Sequence, residues 1–468
     1  MNKKWIRGLH YLALPTLLAA ASIAVRGQSG ISSGVIVQNG YVLDSSLFAL
    51  GSRPVGFGAG TSGGRYGKVY MVTSSADDGS YGTLRYGVQN LAGPRWIVFD
   101  PNLFPPGVKT SIYLNSPLRI DGTNNDERRD NHLTIDGRGS YVSLRRNISW
   151  NLMQKCWYKP VEDPNDRKCW DGSDLTTWSS AYECFKAPNA VVGPLINIRS
   201  AKNVIITHID FAKFRIDTPP PTPTNPHQAD YQCFEDMITI FNGQSDQTTE
   251  NYNFIWINRS EFRDCGDECV TATAPSYNGV IAGVTVSRNL FANTYKGLMF
   301  GNGTGPAAPT DNYGLAGSVY QNRFVNVRIR QPRVQNAYAD VFNNLFENWL
   351  DSAVSAKPQS RVMVEQNVFR AVVETAGAWG YDASDQQSRL WARDNILNTG
   401  EITGTSRSPF PACAAAGGPF YNDCSVPMTR LSLMTYPAAR DWVRARAGWE
   451  NTRNDVRDAY LAELAGMQ

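Results

Sequence analysis

Val286-Ser-Arg-Asn-Leu-Phe291, Val319-Tyr-Gln-Asn-Arg-Phe324, Val341-Phe-Asn-Asn-Leu-Phe346 and Val364-Glu-Gln-Asn-Val-Phe369 are one unit written four times; Ala392-Arg-Asp-Asn-Ile-Leu397 writes it again. The asparagines fall at 289, 322, 344, 367 and 395, at intervals of 33, 22, 23 and 28. A period near 22 with one set of short strands per repeat suits the coil of a parallel β-helix. Stacked Phe and Leu then fill the interior. Stacked Asn at a tight bend bond backbone groups and one another. The competing account is an ordinary β-sandwich with chance Asn-x-Phe matches, and five instances weigh against it.

Upstream the chain reads as short strands between turn residues: Trp96-Ile-Val-Phe, Leu133-Thr-Ile, Val204-Ile-Ile-Thr, Met237-Ile-Thr-Ile, Phe254-Ile-Trp-Ile and Val284-Thr-Val, with Val362-Met-Val further on. Long helical periodicity is absent from this stretch. Gly58-Ala-Gly-Thr-Ser-Gly63 matches GxGxxG, but no strand precedes it and a β-like run follows. A dinucleotide loop needs the opposite order, so this is a structural glycine loop. Two inserts interrupt the coils. Residues 143–190 carry Trp and three Cys and suggest a disulfide-pinned loop; residues 216–227 include Pro219-Pro-Pro-Thr-Pro, an extended loop. Both are placed to overhang a cleft. Residues 436–466 show Ala, Arg, Glu and Leu at helical spacing, a helical tail over the end of the coil.

The 468 residues hold 45 Lys+Arg against 42 Asp+Glu. Lys3, Lys4, Arg7 and Arg26 lie in the first 27 residues, and removing them leaves 41 basic against 42 acidic. That balance does not suggest a nucleic-acid partner. Residues 1–27 read as a secretory signal: a basic start, an apolar run Leu9 to Val25, then small residues at Ala24 and Gly27. No other apolar stretch is long enough to cross a bilayer. The expected organisation is a signal peptide at 1–27, a β-helix domain at 28–405 and a C-terminal disulfide loop with helical tail at 406–468. The mature protein is expected to be secreted, extracellular, free of the membrane and monomeric.

The eight Cys stand at 156, 169, 184, 233, 265, 269, 413 and 424. An even count in an exported chain favours disulfides, and without a CxxC pair zinc is the weaker account. Cys413 and Cys424 would close a local loop. Cys265 and Cys269 can pair only if Gly266–Glu268 forms a turn. Asn147, Asn258 and Asn302 head Asn-x-Ser/Thr sequons, acceptors for glycosylation in a eukaryotic host. His132, His208 and His227 read as structural.

From about Gly56 to about Phe369 the chain resembles the pectate lyase family of right-handed parallel β-helices, polysaccharide lyase family 1. The motifs are Gly82-Thr-Leu-Arg-Tyr, Trp96-Ile-Val-Phe-Asp, Thr134-Ile-Asp-Gly-Arg-Gly, Asn203-Val-Ile-Ile, Ile255-Trp-Ile, Cys265-Gly-Asp and Arg330-Gln-Pro-Arg-Val, specific as an ordered set. The fold expected is all-β: a right-handed parallel β-helix with long loop inserts and a short C-terminal helical segment. The resemblance implies β-elimination on pectate (polygalacturonate). The C5 proton lies alpha to a carboxylate, so its removal needs a base and a neutralised carboxylate.

By match to the family's motifs, Arg330 takes the place of the base and Lys296 that of a substrate-binding Lys. Asp236 and Asp267 take those of calcium ligands. Arg328, two residues before Arg330, would face the same side of an extended strand and hold a uronate carboxylate. Arg333, in the same Arg-Gln-Pro-Arg segment, is a further expected substrate contact. The pattern departs elsewhere. Phe234 and Thr271 stand where further calcium carboxylates are usual, Gln335 replaces a substrate-binding Arg, and Asn258-Arg259 replaces Asp-His. Calcium prefers six to eight oxygens, and Asp236 with Asp267, helped by Glu235 or Glu268, is an incomplete set.

Three alternatives for the cofactor follow: Ca²⁺ completed by substrate carboxylates, a calcium-free enzyme as among pectin lyases, or a decayed site. Three functions compete. The first is a secreted polysaccharide lyase acting on an acidic polysaccharide. The second is a catalytically impaired relative that binds wall polysaccharide. The third is a polygalacturonase-type hydrolase, suggested only by Gly266-Asp-Glu-Cys.

Overall fold

Strands Val204–Thr207, Asp210–Arg215 and Ile238–Phe241 follow one another in the chain, yet none pairs with the next. Each pairs instead with the strand one turn later: Asn253–Asn258, Glu261–Arg263 and Val270–Thr273. The cycle repeats through the chain and builds sheets of twelve, ten and eight strands. Pairing is parallel except at the two ends, where short antiparallel partners occur. This is a right-handed parallel β-helix. The computed structural model describes residues 37–38, 41–42, 54–122, 131–149, 193–215, 236–241, 253–265, 267–273, 282–301, 315–349, 352–370, 381–382, 389–393, 395–397 and 400–402.

The interior follows from in-register parallel stacking. Phe211, Phe262, Phe291, Phe324, Phe346 and Phe369 form one column with ring centroids 4.7–5.0 Å apart and planes within 13° of parallel. Free aromatic pairs prefer offset or edge-on packing. Here the strand spacing of about 4.8 Å dictates the geometry. At the preceding bend the asparagines form a buried ladder. The Asn322 N–H donates to Asn344 Oδ1 at 2.9 Å, and its side-chain amide donates to Val286 O at 2.9 Å. The same pattern runs through Asn289, Asn344 and Asn367 and ends on Asn395. A second, more exposed ladder links Asn293, Asn326 and Asn348.

The glycine loop crosses the outer face of the twelve-stranded sheet as a strap. Val55 N–H bonds the Tyr320 hydroxyl, Gly58 N–H bonds Thr285 Oγ1, and Gly64 N–H bonds Thr134 Oγ1. A Cβ on Gly64 would lie 1.9 Å from Arg95 O, so only glycine permits this approach. Trp96, Val98, Ile205 and Trp256 form a small core on that face. Asp136 binds Trp96 Nε1 at 2.9 Å and the Arg138 guanidinium, which gives Thr134-Ile-Asp-Gly-Arg a structural role.

Two expectations are corrected. Residues 142–149 form a strand of the ten-stranded sheet, so the first insert does not begin at 143. Leu144 points into the core and Ser143 bonds Asp210, which is strand alternation. Asn258 is buried and bonded to Thr207 and Ser287, so its sequon is no surface acceptor, whereas Asn147 is exposed. Residues 1–27, the remainder of the first insert, 216–227, Asn302, His227 and 406–468 lie outside the described residues. So do Cys156, Cys169, Cys184, Cys233, Cys413 and Cys424. Among the described residues no helix is long and apolar enough to cross a membrane.

Candidate functional site

The sequence-predicted site residues gather at one edge of the coil, where strands of the ten-stranded sheet turn into strands of the eight-stranded sheet. Asp236 precedes Ile238–Phe241. Asp267 and Glu268 lie between Glu261–Arg263 and Val270–Thr273. Lys296 ends Leu290–Lys296, just before Leu298–Phe300. Arg330 lies between Arg323–Ile329 and Arg333–Val334. These are four consecutive turns, so residues up to 94 positions apart in sequence are held at strand spacing.

Backbone bonds stack the corners. Met237 N–H donates to Glu268 O at 3.1 Å, Cys269 N–H to Gly297 O at 2.8 Å and Gly297 N–H to Ile329 O at 3.1 Å. The corner bearing Asp267 and Glu268 is closed by a disulfide between Cys265 and Cys269, with Cα atoms 5.1 Å apart. The turn that this pairing required is therefore present. Cys265 N–H also bonds Thr294 Oγ1 at 3.1 Å on the next turn. This five-residue loop is thus tied covalently and to its neighbour.

Asp236, Asp267 and Glu268 each bring a carboxylate oxygen within 4.8 Å of the others. Asp236 Oδ2 accepts from the Thr239 hydroxyl at 2.9 Å, and Oδ1 accepts from Glu268 N–H at 3.1 Å. Lys296 is ion-paired with Asp267 and Arg330 with Glu268. Asp267 is 39% exposed at its side chain, whereas Glu268 is 1% exposed. Three carboxylates and two cations leave a formal charge of −1 in the cluster. Glu268 appeared in the sequence only as a helper beside Glu235. The structure makes it a buried member of the triad, alongside the buried Asp236; Glu235 and Phe234 lie outside the described residues.

Thr271 occupies the eight-stranded sheet in register with Thr239 on one side and Met299 on the other. Met299 Sδ lies 3.8 Å from Arg330 Nη1. Thr271 Oγ1 is buried and has no hydrogen-bond partner. A buried hydroxyl without a partner is costly unless something completes it. The three carboxylates are hard oxygen donors, which fits Ca²⁺ though short of six to eight ligands.

Arg333 lies in the same register column and donates to Gln335 Oε1 at 2.8 Å. The expectation that Arg328 and Arg330 share a strand face is corrected. The strand ends at Ile329 and Arg330 has φ +63°, so alternation stops between them. His132 and His208 lie elsewhere. Both are held below the usual imidazole range, chiefly by burial and secondarily by nearby cations.

Residues 248–452 match the pectate lyase family profile. The chain is 26% identical to pectate lyase 1 of Chamaecyparis obtusa, over 70% of this chain and 68% of that protein. It is 27% identical to pectate lyase 1 of Cryptomeria japonica, with the same coverage of each. Among solved structures it resembles jun a 1, the major allergen from cedar pollen. The TM-score is 0.52 at 20% identity, covering 84% of this chain and 92% of that one.

Proposed function

The chain belongs to the pectate lyase family of polysaccharide lyases, and on that footing we propose that it cleaves pectate by β-elimination at the edge just described. The observation that carries the proposal is the meeting of Arg330 and Lys296 with Asp236, Asp267 and Glu268 on four consecutive turns. An acidic polysaccharide supplies a proton at C5, alpha to its carboxylate, and a leaving oxygen at C4. Arg330 takes the proton, the C–H electron pair forms the C4–C5 double bond as the C4–O bond breaks, and the departing oxygen takes a proton from water, leaving a 4,5-unsaturated uronate on one fragment and a free hydroxyl on the other. Lys296 and Arg333 hold uronate carboxylates, as does Arg328, now without the support of strand alternation. Bound at Asp236, Asp267 and Glu268, Ca²⁺ would neutralise the carboxylate beside the reacting carbon.

A guanidinium paired with a carboxylate offers no lone pair for a proton. The Arg330–Glu268 pair must therefore open, and Arg330 must give up a proton to become a neutral guanidine, before Arg330 acts as base. Lys296 must likewise leave Asp267 to meet substrate. These same pairs favour a second reading, a catalytically impaired protein that binds wall polysaccharide with its site self-neutralised. On either reading the chain is exported, residues 1–27 being its leader, and it works outside the cell.

The test is ultraviolet absorbance of polygalacturonate and methylated pectin digests, with Ca²⁺ or EDTA, beside an Arg330→Ala control. The expected result is a conjugated product on polygalacturonate that is lost with EDTA and in the variant. Turnover that persists in EDTA removes calcium from the proposal. Pectin retained without any unsaturated product selects the binding protein. Saturated fragments select the hydrolase.

A further inference from the structure

The corners that join the ten-stranded to the eight-stranded sheet differ in length. The chain uses one residue at Gly297 and three at 330–332, but six at 264–269. Each added residue gives a corner more conformations to lose on folding. The corner at 264–269 carries Asp267 and Glu268, two of the three carboxylates of the cluster. It is also the one of these three that a disulfide closes, between Cys265 and Cys269. The corner at 348–353 is equally long, yet it holds no residue of the site and no cysteine.

Both cysteines are buried, and they stand only four positions apart. A cross-link stabilises a fold mainly by restricting the unfolded chain, and it does so least when the loop is short. Global stability is therefore a poor account of this bond, and its surroundings supply a local one. Cys265 N–H donates to Thr294 Oγ1 and Cys269 N–H to Gly297 O, beside Lys296 on the following turn. Glu268 N–H donates to Asp236 Oδ1, and Glu268 O accepts from Met237 N–H, on the preceding turn. The bond thus closes the segment that lies between Asp236 on one side and Lys296 on the other. Asp267 and Glu268 are adjacent like charges, and Asp267 is the more exposed. An open loop would let Asp267 turn toward solvent and spread the cluster.

We propose that the Cys265–Cys269 disulfide is a positioning device for the acidic edge, holding Asp267 and Glu268 against Asp236 so that the cluster is preformed for a divalent cation. The proposal rests on the calcium part of the lyase reading. It makes the bond a determinant of cation affinity rather than of the stability of the coil. Groups that orient metal ligands without touching the metal commonly set affinity in this way.

The test titrates calcium chloride calorimetrically into the full chain and into Cys265→Ala, Cys269→Ala and Cys265→Ala/Cys269→Ala. Phe99→Leu, at a buried core position two turns before Asp236, serves as a control for general destabilisation. The expected result is a loss of Ca²⁺ affinity of roughly 10- to 100-fold. The loss should be the same in either single variant as in the double, because either substitution breaks the one bond. Phe99→Leu should melt at a lower temperature yet bind Ca²⁺ as tightly as the unsubstituted chain. Unchanged affinity in the double variant, single losses that multiply in the double, or an equal loss in Phe99→Leu overturns the proposal. So does an unsubstituted chain that binds no Ca²⁺, or a double variant that does not fold. Unsaturated product from the unsubstituted chain is measured separately. Product formed while the cysteine variants keep their Ca²⁺ affinity sinks only the positioning role, and the expected loss of affinity without product sinks only the lyase reading.

Discussion

Arg330 does two things that substitution can separate. It is the proposed base, and it is the counter-charge of Glu268, whose side chain is 1% exposed. Replacing Arg330 by Ala should cost about 10²–10⁴ in turnover. It should also cost about 3 kcal/mol of stability, because a buried carboxylate is left without its partner. Arg330→Lys should restore most of the stability, read by denaturant unfolding, but not the turnover. Turnover that recovers with the Lys variant would remove Arg330 from the role of base. The position of Arg330 was legible from its motif. Its pairing with Glu268 was not, since 62 residues separate them and only the stacking of turns brings them together.

The repeating elements are held by two devices of different depth. Asn344→Ala would leave the Asn322 N–H and the Val319 carbonyl buried without partners. That should cost about 3 kcal/mol, each orphaned group contributing roughly 1–3. Asn326→Ala removes a more exposed rung of the second ladder and should cost under about 1 kcal/mol. Phe291→Ala should cost about 3–5 kcal/mol by opening a cavity between Phe262 and Phe324. Equal losses for Asn344→Ala and Asn326→Ala in urea unfolding would show that burial does not set the strength of the ladders. The first ladder was visible in the sequence because Asn recurs with Phe two residues later. The second was not, since Asn293, Asn326 and Asn348 share no such neighbour.

For the molecule as a whole, the buried His208 links stability to pH. Burial, then Arg259, Arg138 and Arg288, hold its imidazole well below the usual range. Below about pH 6.5 the unfolded chain takes up a proton that the folded chain refuses. The unfolded state then binds more protons, so stability rises with pH and is lost as pH falls from 7 toward 5, by at most about 1.4 kcal/mol per unit. Thermal melts across that interval should show the loss, and His208→Asn should flatten it; an unchanged slope in the variant would move the cause to other groups. His208 also opens a series that no local rule anticipates. His208, Arg259, Arg288, Gln321, Asn343 and Gln366 all have positive φ, each at the bend of its turn. Left-handed backbone favours Gly and Asn, and Arg and Gln carry no such signal.

Period, interior residue type and the bend asparagines were written in the chain, because each turn of a parallel coil meets the same neighbours and so repeats the same demands. Those demands sufficed for the fold class, whereas Arg330, Lys296, Asp236 and Asp267 were singled out only by resemblance to the pectate lyase motifs. The left-handed bends, the glycine strap across Trp96 and Trp256, and the ion pairs of Lys296 and Arg330 arise only in the stacked molecule. Each depends on which turn lies above which, and the inserts between turns break the spacing that would have disclosed it.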